Sequence, residues 1–112
     1  MLVASGDDGA GSHGFRCKEF APTFPASSPH VTSVGGTYLE DELETAVDFS
    51  GGGFSFSFPR PSYQDAAVSN YLSTYSSQLP PSSMFNSSGR GIPDVSAVST
   101  NFQVRVEERC NK

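Results

Sequence analysis

The sequence predicts an α/β fold occupying one small domain or part of one, and three stretches carry that expectation. Leu2-Val3-Ala4 is a short apolar run that stops at the turn Ser5-Gly6-Asp7-Asp8-Gly9-Ala10-Gly11, the pattern of a buried strand entering a glycine-rich loop. Val31-Thr32-Ser33-Val34 is rich in β-branched residues and runs into Gly35-Gly36, which predicts a second strand ending there. Residues 62–75 predict a helix: Pro61 precedes it, Ser62 is a candidate cap with Asp65 three residues on, and Tyr63, Ala67, Tyr71 and Tyr75 recur four apart. Strands mixed with a helix favour the α/β class.

The remaining elements follow in order. The segment from Tyr38 to Phe49 holds Glu40, Asp41, Glu42 and Glu44 between apolar residues, which predicts a solvent-exposed hairpin or loop. Glu40 and Glu44 are read as a solvated charge run. In Gly51, Gly52 and Gly53 the absence of side chains permits positive φ and close approach by another chain segment or a ligand. A polar loop is expected over 78–91, then a buried strand in Pro93-Asp94-Val95-Ser96-Ala97-Val98. Phe102, Val104 and Val106 alternate with Gln103, Arg105 and Glu107 as in a half-exposed strand. The tyrosine stripe of the helix is core or packing surface by its spacing.

Composition narrows the function classes. The 112 residues are 36% hydrophobic, enough for a modest core, and carry a net charge of −5 from 7 basic and 12 acidic residues. The basic residues are scattered, so nucleic acid is not an expected partner. No window reaches the roughly 18 apolar residues that span a bilayer, so no membrane partner is expected, and the Met1-Leu2-Val3-Ala4 start is too short for a signal-peptide core. Cys17 and Cys110 lack any CxxC or Cys/His metal spacing; a mutual disulfide, disulfides to other cysteines and free thiols all remain open. His13 and His30 have no partner pattern, which favours polar surface or structural roles. Asn86-Ser87-Ser88 is an N-glycosylation acceptor pattern.

Five segments in order resemble the serine-carboxyl peptidases, the sedolisin family, and most closely their tripeptidyl-peptidase branch. They are Ser5-Gly6-Asp7-Asp8-Gly9-Ala10-Gly11, residues 23–37 (Thr-Phe-Pro-Ala-Ser-Ser-Pro-His-Val-Thr-Ser-Val-Gly-Gly-Thr), Ser50-Gly51-Gly52-Gly53-Phe54-Ser55, Phe58-Pro59-Arg60-Pro61-Ser62-Tyr63-Gln64 and residues 85–95 (Phe-Asn-Ser-Ser-Gly-Arg-Gly-Ile-Pro-Asp-Val). The resemblance implies part of a subtilisin-like fold with a parallel central sheet, spanning 1–112 as a partial catalytic domain. It implies an acid-acting peptidase that hydrolyses peptide bonds of a peptide or protein substrate, with Asp7 in the oxyanion hole. Asp8 departs from the serine usual in the family.

An aspartate beside glycine ordinarily bonds its own backbone in an Asx turn, and the resemblance is what moves Asp7 to the oxyanion role. The chemistry of that role is general. A hole for a developing oxyanion needs donors, and an ionised carboxylate only accepts, so Asp7 serves there only when protonated. An ordinary aspartate, pKa ~3.9, carries that proton only in acid.

The same resemblance moves Gly51, Gly52 and Gly53 from a plain loop toward a substrate-facing wall, and makes Asn86 a glycosylation site in a lysosomal or secreted parent. The family's serine nucleophile stands in a Gly-Thr-Ser motif and its catalytic Glu and Asp on a helix, and neither feature occurs within these 112 residues. The chain is therefore expected to be a piece of a longer enzyme, inactive alone, with Met1 an internal methionine or a false start and with association to the missing parts of the domain. No cofactor or metal is expected in this segment, since the family's calcium site lies outside it. Two other readings compete: a noncatalytic binding or regulatory module that keeps part of the fold, and a small secreted glycoprotein stapled by Cys17 and Cys110.

Overall fold

The computed structural model describes residues 1–11, 20 and 22–103. Its centre is one long strand. β1 (Leu2–Ala4) lies parallel to β2 (Thr32–Glu40), with Leu2 opposite Thr32 and Ala4 opposite Val34. β3 (Leu43–Ala46) returns antiparallel to β2, and β6 (Val95–Val98) runs parallel to it with Val34 opposite Val95 and Thr37 opposite Val98.

Successive peptide groups of a strand point to opposite edges, and β2 uses that alternation to serve three neighbours. On one edge Thr32 N–H donates to Met1 O, Val34 O accepts from Ser5 N–H and Gly36 O accepts from Val47 N–H. On the other, Ser33 O accepts from Asp94 N–H and Thr37 O from Ser99 N–H. Even-numbered residues thus carry β1 and β3 end to end on one edge, and odd-numbered residues carry β6 on the other.

The sheet is mixed, where a parallel one was expected. The trio β1, β2 and β6 is parallel, but β3 is joined to β2 by only Asp41 and Glu42, far too short a link for a parallel crossover. Both turn residues have positive φ, 47° and 70°, the conformation of a tight two-residue hairpin. The acidic hairpin is as expected, and with a mixed sheet and one α-helix among the described residues the architecture is α/β-like.

β2 also runs straight through Gly35-Gly36 instead of ending there. A Cβ on Gly35 would sit 2.7 Å from Pro93 Cγ, and one on Gly36 2.5 Å from Ser99 Oγ. These glycines clear space for the segment around β6; they do not break the strand.

A second ribbon pairs β4 (Gly53–Pro59) antiparallel with β5 (Gly89–Ile92), with a register shift between Phe54 and Pro59. Neither strand was anticipated, although Phe54, Phe56 and Phe58 alternate with Ser55 and Ser57 as a strand does. The described core is small: Ala26, Val47, Phe54, Val68 and Ile92 are its buried apolar residues. Ser62–Gln64 forms a 3-10 turn that leads into α1 (Asp65–Thr74). Ser62 does not cap the helix; Asp65 instead pairs with Arg60 at 2.9 Å. Along α1 only Val68 is buried, while Tyr71 and Tyr75 are half-exposed and pack their rings on each other at 5.3 Å.

β1 and β6 were expected to be buried, yet Leu2 is 74% and Val95 53% exposed. Each pairs along one edge with β2, and no described layer covers those side chains. Phe102 and Gln103 lie outside any strand, and the rest of the expected tail strand, with Cys17, Cys110 and His13, falls outside the described residues.

Candidate functional site

Asp7 stands where the chain leaves the sheet. Ser5, 3% exposed, extends the β1–β2 ladder by donating to Val34 O, and the backbone then turns through Gly6 (φ 111°) and Gly9 (φ 62°). Gly11 N–H donates to Asp8 O at 3.2 Å, closing the turn. Asp7 and Asp8 are exposed on it, past the carboxyl end of a parallel strand, where open α/β sheets usually hold ligands. A cavity of about 400 Å³ lies beside the turn, lined by Asp7 with Ser5, Gly36, Ser50 and Ser99 among others.

Two of the three glycines bond this turn. Gly51 N–H donates to Gly6 O at 2.8 Å and Gly52 N–H to Gly9 O at 3.3 Å. On their other side Gly51, Gly52 and Gly53 line a larger cavity of about 730 Å³, together with Phe54, Tyr63, Ala67, Tyr71, Phe85 and Asp94. Ser50 lines both cavities. Two carboxylates of the acidic hairpin are bonded within it: Thr37 Oγ1 donates to Glu44 at 2.6 Å and Tyr38 Oη to Glu40 at 3.0 Å. The bond to Glu40 and its charge raise the Tyr38 phenol above its ordinary value.

Sequence reasoning assigned no role to the most heavily bonded polar cluster among the described residues. Arg90 is 0% exposed, and its guanidinium pairs with Asp94 and donates to Val31 O at 3.0 Å and Gly91 O at 2.8 Å. Asp94 accepts further bonds from Ser33 N–H at 2.7 Å, Gln64 Nε2 at 2.9 Å and Tyr63 Oη at 3.2 Å. Gln64 completes the cluster by exchanging bonds with both backbone groups of Gly91. Burial and the negative charge of Asp94 push the Tyr63 phenol up. The cluster ties β2, the 3-10 turn, β5 and the entry to β6 together. Its sequence signal was Arg90 and Asp94 four apart around Gly91-Ile92-Pro93, too generic to interpret without the fold.

Asn86 lies between α1 and β5. Its Nδ2 donates to Ser55 O at 2.9 Å, and its Oδ1 accepts from Ser88 N–H at 3.2 Å and Ser88 Oγ at 2.8 Å. His30 is exposed. Among the described residues no three of His, Cys, Asp and Glu converge as a metal site, and no helix is long and apolar enough to cross a membrane.

No protein-family profile matches the chain. Curated relatives do: it is 58% identical over 109 residues to tripeptidyl-peptidase 1 of Pongo abelii, and 54% identical over 109 residues to those of Bos taurus and Homo sapiens. The match covers 93% of this chain but 19% of each relative, so the chain spans about a fifth of their length. At that identity the chain is a homologue of one segment of tripeptidyl-peptidase 1, as its serine-carboxyl peptidase motifs imply.

Proposed function

We propose that this chain is the oxyanion-bearing segment of an acid-acting serine-type peptidase of the tripeptidyl-peptidase 1 kind, built on a subtilisin-like fold. The observation that carries the reading is the position of Asp7, exposed beyond the end of β1 beside a cavity, in a chain 52–58% identical to tripeptidyl-peptidase 1. In the full-length parent a serine hydroxyl oxygen adds to the scissile carbonyl carbon. Its proton passes to a carboxylate base, and the carbonyl electron pair moves onto oxygen. The protonated Asp7 carboxyl donates to that oxygen, which is the electrostatic contribution of this segment. Gly51, Gly52 and Gly53 border the path of the peptide, Asn86 carries a glycan, and the parent works in a lysosomal or secretory compartment. By itself the chain does not hydrolyse peptides.

The test is a chimera in which this segment replaces the matching 109 residues of human tripeptidyl-peptidase 1. Asp7→Ala should lower kcat by about 10²- to 10³-fold with little change in KM. Asp7→Asn, which keeps a donor at every pH, should flatten the acid dependence. An unchanged kcat in Asp7→Ala removes Asp7 from the mechanism, and hydrolysis of a tripeptidyl substrate by the 112-residue chain contradicts its inactivity alone.

A further inference from the structure

Backbone bonds from residues 49–52 bracket the Asp7 turn. Gly51 N–H donates to Gly6 O at 2.8 Å on one side of Asp7, and on the other Gly9 N–H donates to Phe49 O at 2.9 Å while Gly52 N–H donates to Gly9 O at 3.3 Å. The approach is so close that a Cβ on Gly51 would lie 2.1 Å from Ser5 O and 2.9 Å from Gly6 N. The bracing segment is itself fixed to the sheet by one side chain. Ser50 Oγ accepts from Gly36 N–H at 3.0 Å, while Ser50 N–H donates to Val47 O at 3.0 Å. Gly36 belongs to the even-numbered edge of β2, between Val34, which receives Ser5, and the stretch that pairs with β3. The hydroxyl of Ser50 therefore bridges the gap between the two short strands on that edge.

We infer that Ser50 and Gly51 are positioning residues for Asp7: the serine sets the height of the brace on β2, and the bare glycine lets the brace reach the turn. Neither touches the reacting atoms. The inference rests on the oxyanion reading of Asp7 and adds to it the device that holds the carboxyl in place. Displacing a catalytic group by about 1 Å is enough to cost on the order of 10²-fold in rate, so a small shift of this brace is legible in kcat.

In the chimera, Ser50→Ala should lower kcat by roughly ten- to a hundredfold with KM nearly unchanged, and Ser50→Thr, which keeps the oxygen, should restore most of it. Placed in an Asp7→Ala background, Ser50→Ala should cause no further loss, because residues acting through one group are not additive. Multiplying effects would make Ser50 an ordinary structural residue and overturn the inference; so would a wild-type kcat in Ser50→Ala alongside a damaged Asp7→Ala, and in that case the oxyanion reading stands. A wild-type kcat in Asp7→Ala sinks both. Gly51→Ala should be more severe than Ser50→Ala. Amide hydrogen exchange on the chimera is a readout independent of activity: Ser50→Ala should speed exchange at Gly9 and Gly51, and unchanged protection there overturns the brace.

Discussion

Asp94 forms an ion pair with the fully buried Arg90, and every other bond to its carboxylate comes from a different part of the chain. Ser33 N–H reaches it from β2, and Gln64 and Tyr63 from the 3-10 turn before α1. Arg90 Nε and Ser33 Oγ are buried there without a hydrogen-bond partner among the described residues.

Breaking such a pair by removing one partner leaves a buried charge uncompensated. Asp94→Asn should therefore destabilise the fold by about 3–5 kcal/mol, a large share of the stability of a small domain. Arg90→Lys should also fail, since a single ammonium cannot span Val31 O, Gly91 O and the carboxylate together. Denaturant midpoints of the three proteins, compared at equal m, decide this; a midpoint unmoved by Asp94→Asn would show the pair to be dispensable.

Gly36 of β2 and Gly52 of the brace differ in a measurable way. Gly36→Ala puts a methyl 2.5 Å from Ser99 Oγ and 3.1 Å from Val47 Cγ2, and should cost about 1–3 kcal/mol through overpacking. Gly52→Ala meets only Ile92 O at 3.5 Å, an ordinary contact, and should be close to neutral. Thermal melting of the pair checks the ordering, and equal losses would contradict it.

The hairpin turn carries conformational strain that a substitution can relieve. Glu42 holds φ 70°, which costs an L-residue with a side chain roughly 1–2 kcal/mol. Glu42→Gly should stabilise the chain by up to about 1 kcal/mol, the gain in backbone comfort being offset in part by the freer unfolded state. A lower melting temperature in that variant would rule out the turn assignment.

Alkaline pH should loosen the Asp94 cluster first. The Tyr63 phenol is raised by burial and by Asp94, so its contribution to stability is full below the unfolded value of about 10 and is lost as pH rises through the higher folded value. The ring is 63% exposed, and solvent screening keeps the effect small. Tyrosinate absorbance should show one late-titrating group that Tyr63→Phe removes, apart from that of Tyr38; an unchanged titration curve would show that Tyr63 ionises as an ordinary phenol.

Local signals made part of this structure legible in advance. Gly6 and Gly9 marked the turn around Asp7, the run of Glu40, Asp41, Glu42 and Glu44 marked the exposed hairpin, and three glycines marked a close approach. What escaped was non-local. Gly35-Gly36 looks like a strand end from its neighbours, and only Pro93 and Ser99, some sixty residues away in sequence, explain why it is not. Ser33 and Asp94 are 61 positions apart, so nothing in either neighbourhood announces their bond. Ser62 looked like a cap because Asp65 follows at the right spacing, but Arg60 competes for that carboxylate. The candidate site residues were named through family motifs; the backbone bonds on either side of Asp7 became visible only with the fold.

The alternation along β2 constrains how this segment can change over time. Its even-numbered peptide groups hold the turn of Asp7 and the hairpin, and its odd-numbered ones hold β6. Inserting or deleting a single residue near Gly35 would reverse that parity for everything downstream, offering β6 the groups now bonded to the hairpin and turning every later side chain to the opposite face. Point substitutions preserve the count, as do length changes in steps of two. Descent along this strand should therefore leave an alignment free of single-residue gaps even where its residues diverge.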